Sequence, residues 1–248
     1  MRTYDILGVK FHDASMAQAL ETLTGFLDGD KSCLVVTVGP EMVMRAQENK
    51  EFRDLVEGAD LVVPDGTGIL WAASQCGYKL PERVAGIDLA VNFAGILAEK
   101  NMPLFMLGAA PGIAEKAADK LRQRFPKLVI AGTHDGYFKD HDEVVKQIAA
   151  SGAKAIYVAM GSPAQEKWVR QHGEAMGIKV GIGLGGSFDV LSGMKKRAPV
   201  WMQKLRLEWL YRFICEPSRI GRMMAIPKFM LKVFRNKPAV KVRSEERV

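Results

Sequence analysis

A chain of 248 residues, 48% hydrophobic and 25% charged, can bury one large core or two modest lobes, and without low-complexity tracts or repeats it is not a disordered chain. Its three cysteines, Cys33, Cys76 and Cys215, are far apart and odd in number, and with four scattered histidines they exclude a disulfide framework and a zinc site. The net charge of +7 is uneven: residues 195–248 hold fifteen Lys/Arg against four Glu, the rest twenty Lys/Arg against twenty-four Asp/Glu, which points the tail at an anionic surface. The N-terminus lacks the apolar stretch of a signal peptide, and no uncharged run reaches the ~18 residues of a spanning helix. The expected location is therefore cytoplasmic, with peripheral contact at the inner face of the membrane.

Taken in chain order, apolar runs predict buried strands at Cys33–Val38, Leu61–Val63, Leu104–Leu107, Leu128–Ala131, Ala155–Met160 and Val180–Leu184. Helical periodicity falls between them, at Glu41–Val56, Ala114–Phe125 and Pro163–Met176, with Pro163 suited to a first helical turn. The strand runs are continuous rather than alternating. That favours a parallel sheet covered on both faces, a doubly wound α/β fold. After about residue 198 the character changes. Trp201, Leu205, Trp209 and Phe213 recur every four residues. Beyond Pro217, Ile226, Phe229, Met230, Val233 and Phe234 form one stripe and Lys228, Lys232 and Arg235 another. Such a helix suits a membrane interface, or equally a core-packed helix with a solvated basic face; the charge balance favours the membrane. Residues 237–248 read as a frayed polar end.

In α/β sheets, ligands bind beyond the carboxyl ends of the strands, so the polar residues after each run are the candidates. Asp65, in Val-Val-Pro-Asp-Gly-Thr-Gly, is either a general base or the cap of the next helix. Gly39, Gly66, Gly108, Gly161, Gly185 and Gly186 would let the backbone approach a nucleotide, and Tyr137, Phe188 and Asp189 lie in the same strand-end clusters. Asp189 would accept from ribose hydroxyls. Gln165, opening the helix after Gly161-Ser162-Pro163, offers both donors and acceptors at a positive helix end. Arg83 would pair with a phosphate, or else with Glu82 or Asp88. Asp28-Gly29-Asp30 matches a D-x-D metal pattern but follows a helix and precedes a strand, at the wrong edge of the sheet, and reads as a turn. No required metal or cofactor is expected.

Ten ordered stretches carry a resemblance. They are Val35–Glu41, Val63–Gly68, Glu82–Asp88, Leu107–Gly112, Asp135–Phe138, Gly161–Glu166, Gly185–Asp189, Lys196–Pro199, Leu207–Arg212 and Glu216–Arg219. Over about residues 5–225 the chain resembles the WecG/TagA/CpsF glycosyltransferase family. The resemblance implies a Rossmann-like domain over residues 1–195, helices on both faces of its mostly parallel sheet, and a basic amphipathic membrane-docking appendage over 196–248. It implies a metal-independent, inverting transfer of N-acetylmannosamine or a related hexosamine from a UDP-sugar to a polyprenyl-diphosphate-linked acceptor. On that resemblance Asp65 matches the base, Thr37 a sugar-site residue, Arg83 and Gln165 active-site polar groups, and Arg212, Arg219 and Arg222 the arginines that meet the acceptor diphosphate. The family usually has Asn where this chain has Gly39, so another donor sugar, glucose included, is an alternative. A non-catalytic nucleotide-binding module on the membrane is a further one. Nucleic acid is disfavoured, because the tail's cations are interleaved with bulky aliphatics, and homo-oligomerisation is left open.

Overall fold

The computed structural model describes residues 1–75, 77–205, 207–216, 221, 224–236 and 242–245, with backbone alone for Lys204, Arg212 and 242–245. Strands β1 (Arg2–Ile6) and β2 (Val9–His12) form a hairpin, followed by α1 (Met16–Asp28). Then come β3 (Cys33–Val38), α2 (Pro40–Glu48), α3 (Lys50–Glu57), β4 (Leu61–Pro64), α4 (Thr67–Gln75) and α5 (Gly86–Glu99). The next units are β5 (Leu104–Gly108), α6 (Ile113–Arg124), β6 (Ile130–His134), α7 (His141–Ser151), β7 (Ala155–Ala159), α8 (Ala164–His172) and β8 (Val180–Gly183). Short helices α9 (Ser187–Leu191), α10 (Val200–Lys204) and α11 (Glu208–Cys215), the longer α12 (Ala225–Arg235) and strand β9 (Val242–Glu245) complete it.

Six strands form one sheet in the order β4-β3-β8-β7-β5-β6, every pairing parallel. Alternation along each strand feeds two cores. Leu34, Val36 and Val38 pack on one face with helices α2, α3, α4 and α8, while Val35, Leu61, Val63, Met106 and Tyr157 pack on the other with α1, α5 and α6. Both faces are thus apolar, which is why the strands read as continuous runs. From β3 the chain winds outward to β4, then crosses to β5 and returns through β7 to β8. The crevice of this reversal lies beyond the ends of β3, β4, β7 and β8. The hairpin covers the β4 edge: buried His12 accepts the Val62 N–H at its Nδ1, 2.9 Å away.

Several boundaries depart from the sequence reading. The helix expected over Glu41–Val56 is two helices, because Asn49 adopts an extended backbone and its side chain accepts from Phe52 N–H at 2.9 Å, capping α3. The strand expected at Leu128 starts at Ile130, since a turn closes Leu128 N–H on Phe125 O. Pro163 stands at the cap of α8 rather than inside its first turn, and that helix ends at His172. The end expected to be frayed places residues 242–245 antiparallel to β1 as the third strand of a small sheet, because β1 has a second edge of unpaired N–H and C=O groups. The apolar stripe of α12 divides in two. Phe229 and Val233 are buried in the core against α2 and α4, while Met230 and Phe234 stay 37% and 51% exposed.

Candidate active site

A cleft of about 950 Å³ opens at the strand ends named above. Its floor begins at β3 and β4. Asp65 follows β4, its N–H donates to Val38 O at 2.9 Å, and its Oδ2 accepts from Gly86 N–H at 3.2 Å. The carboxylate therefore caps α5, a helix distant in sequence, and sits at that helix's positive end. Thr37 lies beside it: a Cβ at Gly86 would stand 2.7 Å from Thr37 Oγ1, so only glycine lets α5 begin so close to β3. Similarly, a Cβ at Gly68 would stand 2.7 Å from Pro40 Cγ, and the starts of α2 and α4 touch there. Asp65, Thr37, Gly39 and Gly66 all line the cleft.

The opposite wall comes from β7 and β8. Gln165 is 5% exposed, accepts from Gly185 N–H at 2.9 Å and donates to Glu166 Oε1 at 2.8 Å. Those two bonds fix its amide, and a Cβ at Gly183 would stand 2.5 Å from its nitrogen. One N–H and one lone pair of Gln165 remain for a ligand. Glu166 is buried, and desolvation raises its carboxyl above the usual range, against the opposing pull of the Gln165 hydrogen bond and the Arg45 charge. Gly161, Gly185 and Gly186 also line this wall.

Charged side chains form the roof. Arg83 donates from Nη2 to Glu208 Oε2 at 3.0 Å and lies 4.0 Å from Asp88, whereas Glu82 accepts from Met16 N–H instead. Arg197 holds Asp88 with both terminal nitrogens, at 2.6 and 2.8 Å, and Glu208 Oε1 with Nε at 3.3 Å. Lys195 pairs with Asp189 at 2.6 Å and Glu216 at 2.9 Å. Lys196 lines the cleft and makes no ion pair among the described residues. Sequence reading missed Lys195, Arg197 and Glu208 as cleft residues. The only signal for Arg197 and Glu208 was the Lys-Arg-Ala-Pro and Leu-Glu-Trp stretches quoted above, whose partners Asp88 and Arg83 lie 109 and 125 residues away; Lys195 stands just outside them.

Four expected contacts lie off the cleft lining. Phe188 is fully buried in the core beneath α9, so it is a packing residue. Tyr137 is 78% exposed on the loop after β6. Gly108 is needed for packing, since its φ is +120° and a Cβ would stand 2.6 Å from the Ala159 backbone. Asp189 pairs with Lys195 rather than pointing a carboxylate at a ribose. The Arg212 side chain, Arg219 and Arg222 lie outside the described residues, as does Cys76. Among the described residues no three of His, Cys, Asp and Glu gather into a metal-holding group, and Asp28 and Asp30 flank the N-terminal end of β3, away from the cleft.

The sequence profile of the glycosyl transferase WecG/TagA/CpsF family matches residues 4–243. This chain belongs to that family. Among its relatives is the N-acetylglucosaminyldiphosphoundecaprenol N-acetyl-beta-D-mannosaminyltransferase of Bacillus spizizenii strain W23, 35% identical over 240 residues, 96% of this chain and 93% of the relative. Proteins of the same name from Bacillus subtilis strain 168 and Staphylococcus aureus strain MRSA252 are 34% and 37% identical, over 95% and 96% of this chain and 92% and 94% of theirs. As a WecG/TagA/CpsF glycosyltransferase, the chain carries its family motifs on the cleft: the stretches holding Thr37, Asp65, Arg83, Gln165 and Gly185 all reach the lining.

Proposed function

We propose that this chain moves N-acetylmannosamine from a UDP-sugar to a polyprenyl-diphosphate-linked N-acetylglucosamine at a membrane surface. The observation that carries the reading is Asp65: a carboxylate on the floor of a 950 Å³ cleft, beside Thr37, under a roof of ion-paired arginine and lysine side chains. The acceptor hydroxyl oxygen attacks the anomeric carbon, the bond from that carbon to the UDP oxygen breaks, and the hydroxyl proton passes to Asp65. Attack from the face opposite UDP inverts the anomeric configuration. Arg83 and the N–H groups at the glycine-rich strand ends stabilise the negative charge that grows on the diphosphate. Because protein cations supply this charge, a chelator such as EDTA is expected to leave the rate unchanged.

Two further features support a peripheral membrane position. No helix among the described residues is long and apolar enough to cross a bilayer. Trp201, Leu205, Trp209, Ile214, Met224, Leu231 and Phe234 are exposed large apolar side chains, all in the tail that carries the basic excess. The donor is open to a second reading at one point. The Glu41 carboxylate folds over Gly39, where a Cβ would stand 2.7 Å from its Oε2, so a carboxylate rather than the family's Asn amide occupies this corner of the cleft. The test is mass spectrometry of the product formed from a panel of UDP-sugars, UDP-glucose included, and a short-chain prenyl-diphosphate-N-acetylglucosamine. The expected product is acceptor plus one N-acetylhexosamine, formed from UDP-N-acetylmannosamine. Hexose addition would replace the donor, and no transfer from any donor would sink the reading.

A further inference from the structure

We infer that Glu208 is a positioning residue for the sugar transfer, tying the C-terminal segment to the arginine that faces the leaving group; this rests on the function proposed above. Glu208 opens α11 and is 6% exposed. Its two oxygens serve two guanidinium groups, Arg83 at 3.0 Å and Arg197 at 3.3 Å. Arg197 in turn grips Asp88 bidentately, and Asp88 stands in the first turn of α5, the turn whose Gly86 N–H holds Asp65. Tail, arginines and base thus converge on one helical turn.

The chemistry of the bridge makes it specific. Among the described residues, two guanidiniums and two carboxylates meet here in a half-buried place. A glutamine at 208 would have one acceptor oxygen, and its NH₂ would face the second guanidinium, so it cannot bridge both cations. Arg83 uses one terminal nitrogen on Glu208, and the cleft meets the rest of a fork already held in orientation. Removing the bridge releases that fork without removing its charge. The loss should therefore fall on kcat more than on donor binding.

The full-length chain is assayed with UDP-N-acetylmannosamine and a water-soluble, short-chain prenyl-diphosphate-N-acetylglucosamine, so that membrane attachment does not enter the rate. Glu208→Gln is expected to lower kcat by roughly tenfold or more, with the donor KM moved by less than about threefold. Binding to phosphatidylglycerol vesicles should persist. Arg83→Ala and the double variant should be equally slow, because the glutamate acts through the arginine. Glu208→Asp keeps the charge, one methylene short, and covers the case in which the glutamine variant fails to fold. It should lose roughly threefold to tenfold in kcat at an unchanged Tm. Wild-type kcat in either folded variant, or a double variant whose loss is the product of the single losses, overturns the role of Glu208 and leaves the transferase intact. A wild-type chain that transfers no sugar overturns the function, and this inference with it.

Discussion

On the floor of the cleft, Thr37, Asp65 and Gly86 are placed by backbone: a strand end, a helix start and close approaches that only glycine allows. Over the same cleft, Arg83, Arg197 and Lys195 are placed by long side chains paired to Glu208, Asp88, Asp189 and Glu216. The floor is preorganised by packing that salt does not reach. The roof is a network of charges that responds to ionic strength and to any incoming diphosphate. On the function proposed above, the difference would put bond making on the rigid part and charge handling on the adjustable one.

The comparison can be broken from the floor first. Gly86→Val would drive a branched side chain into Thr37, and transfer should fall by about a hundredfold or more, as expected when reacting groups shift by an ångström. Retained turnover would mean that the floor tolerates movement. Next comes the joint between the two regions. Phe229→Ala opens a cavity where α12 meets the core and should cost about 3 kcal/mol of stability in a denaturant titration. A loss below about 1 kcal/mol would show that the tail helix is only loosely seated.

The tail's exposed apolar face is probed by the triple change Trp201→Ser, Leu205→Ser, Leu231→Ser. All three are exposed, so Tm should hold while vesicle binding weakens by roughly tenfold or more, read by co-sedimentation. A smaller effect belongs to Glu166, whose carboxyl is raised by burial. A raised acid contributes stability when protonated and loses it as pH climbs through its folded value. Glu166→Gln should therefore stabilise the chain more at about pH 8 than at about pH 5. A constant difference across that range would remove the buried-acid account. The smallest effect is chemical: the Cys33 thiol is buried and pushed up to about 11, while Cys215 is exposed. Iodoacetamide should label Cys215 in the folded chain and reach Cys33 only on unfolding.

What was legible in the sequence follows the same division. Cys33–Val38 and Val180–Gly183 announced themselves because burial on both faces makes a strand apolar throughout. Asp65, Thr37 and Gln165 were legible as cleft-lining residues because strand ends in such a fold converge on one crevice. The β1–β2 hairpin was not, since its two-residue turn is Leu7-Gly8, with a leucine at φ 52° where Asn or Gly is usual. Phe188 was misread because a glycine-rich loop suggests a ligand, yet one residue into α9 the side chain turns inward. Glu208 stood in a quoted family stretch, Leu207–Arg212, but its role could not be read there. Its importance lies in Arg83, 125 residues away, and no local pattern records such a pairing.

The measurement that bears most directly on the account is Asp65→Asn, followed by UDP affinity and by transfer to the soluble acceptor. The substitution keeps the size of the side chain and an oxygen for the Gly86 N–H, but removes the proton acceptor. Transfer should fall on the order of a hundredfold or more while UDP affinity stays within about threefold. Transfer near the wild-type rate would contradict Asp65 as the base, and with it the division of labour between floor and roof.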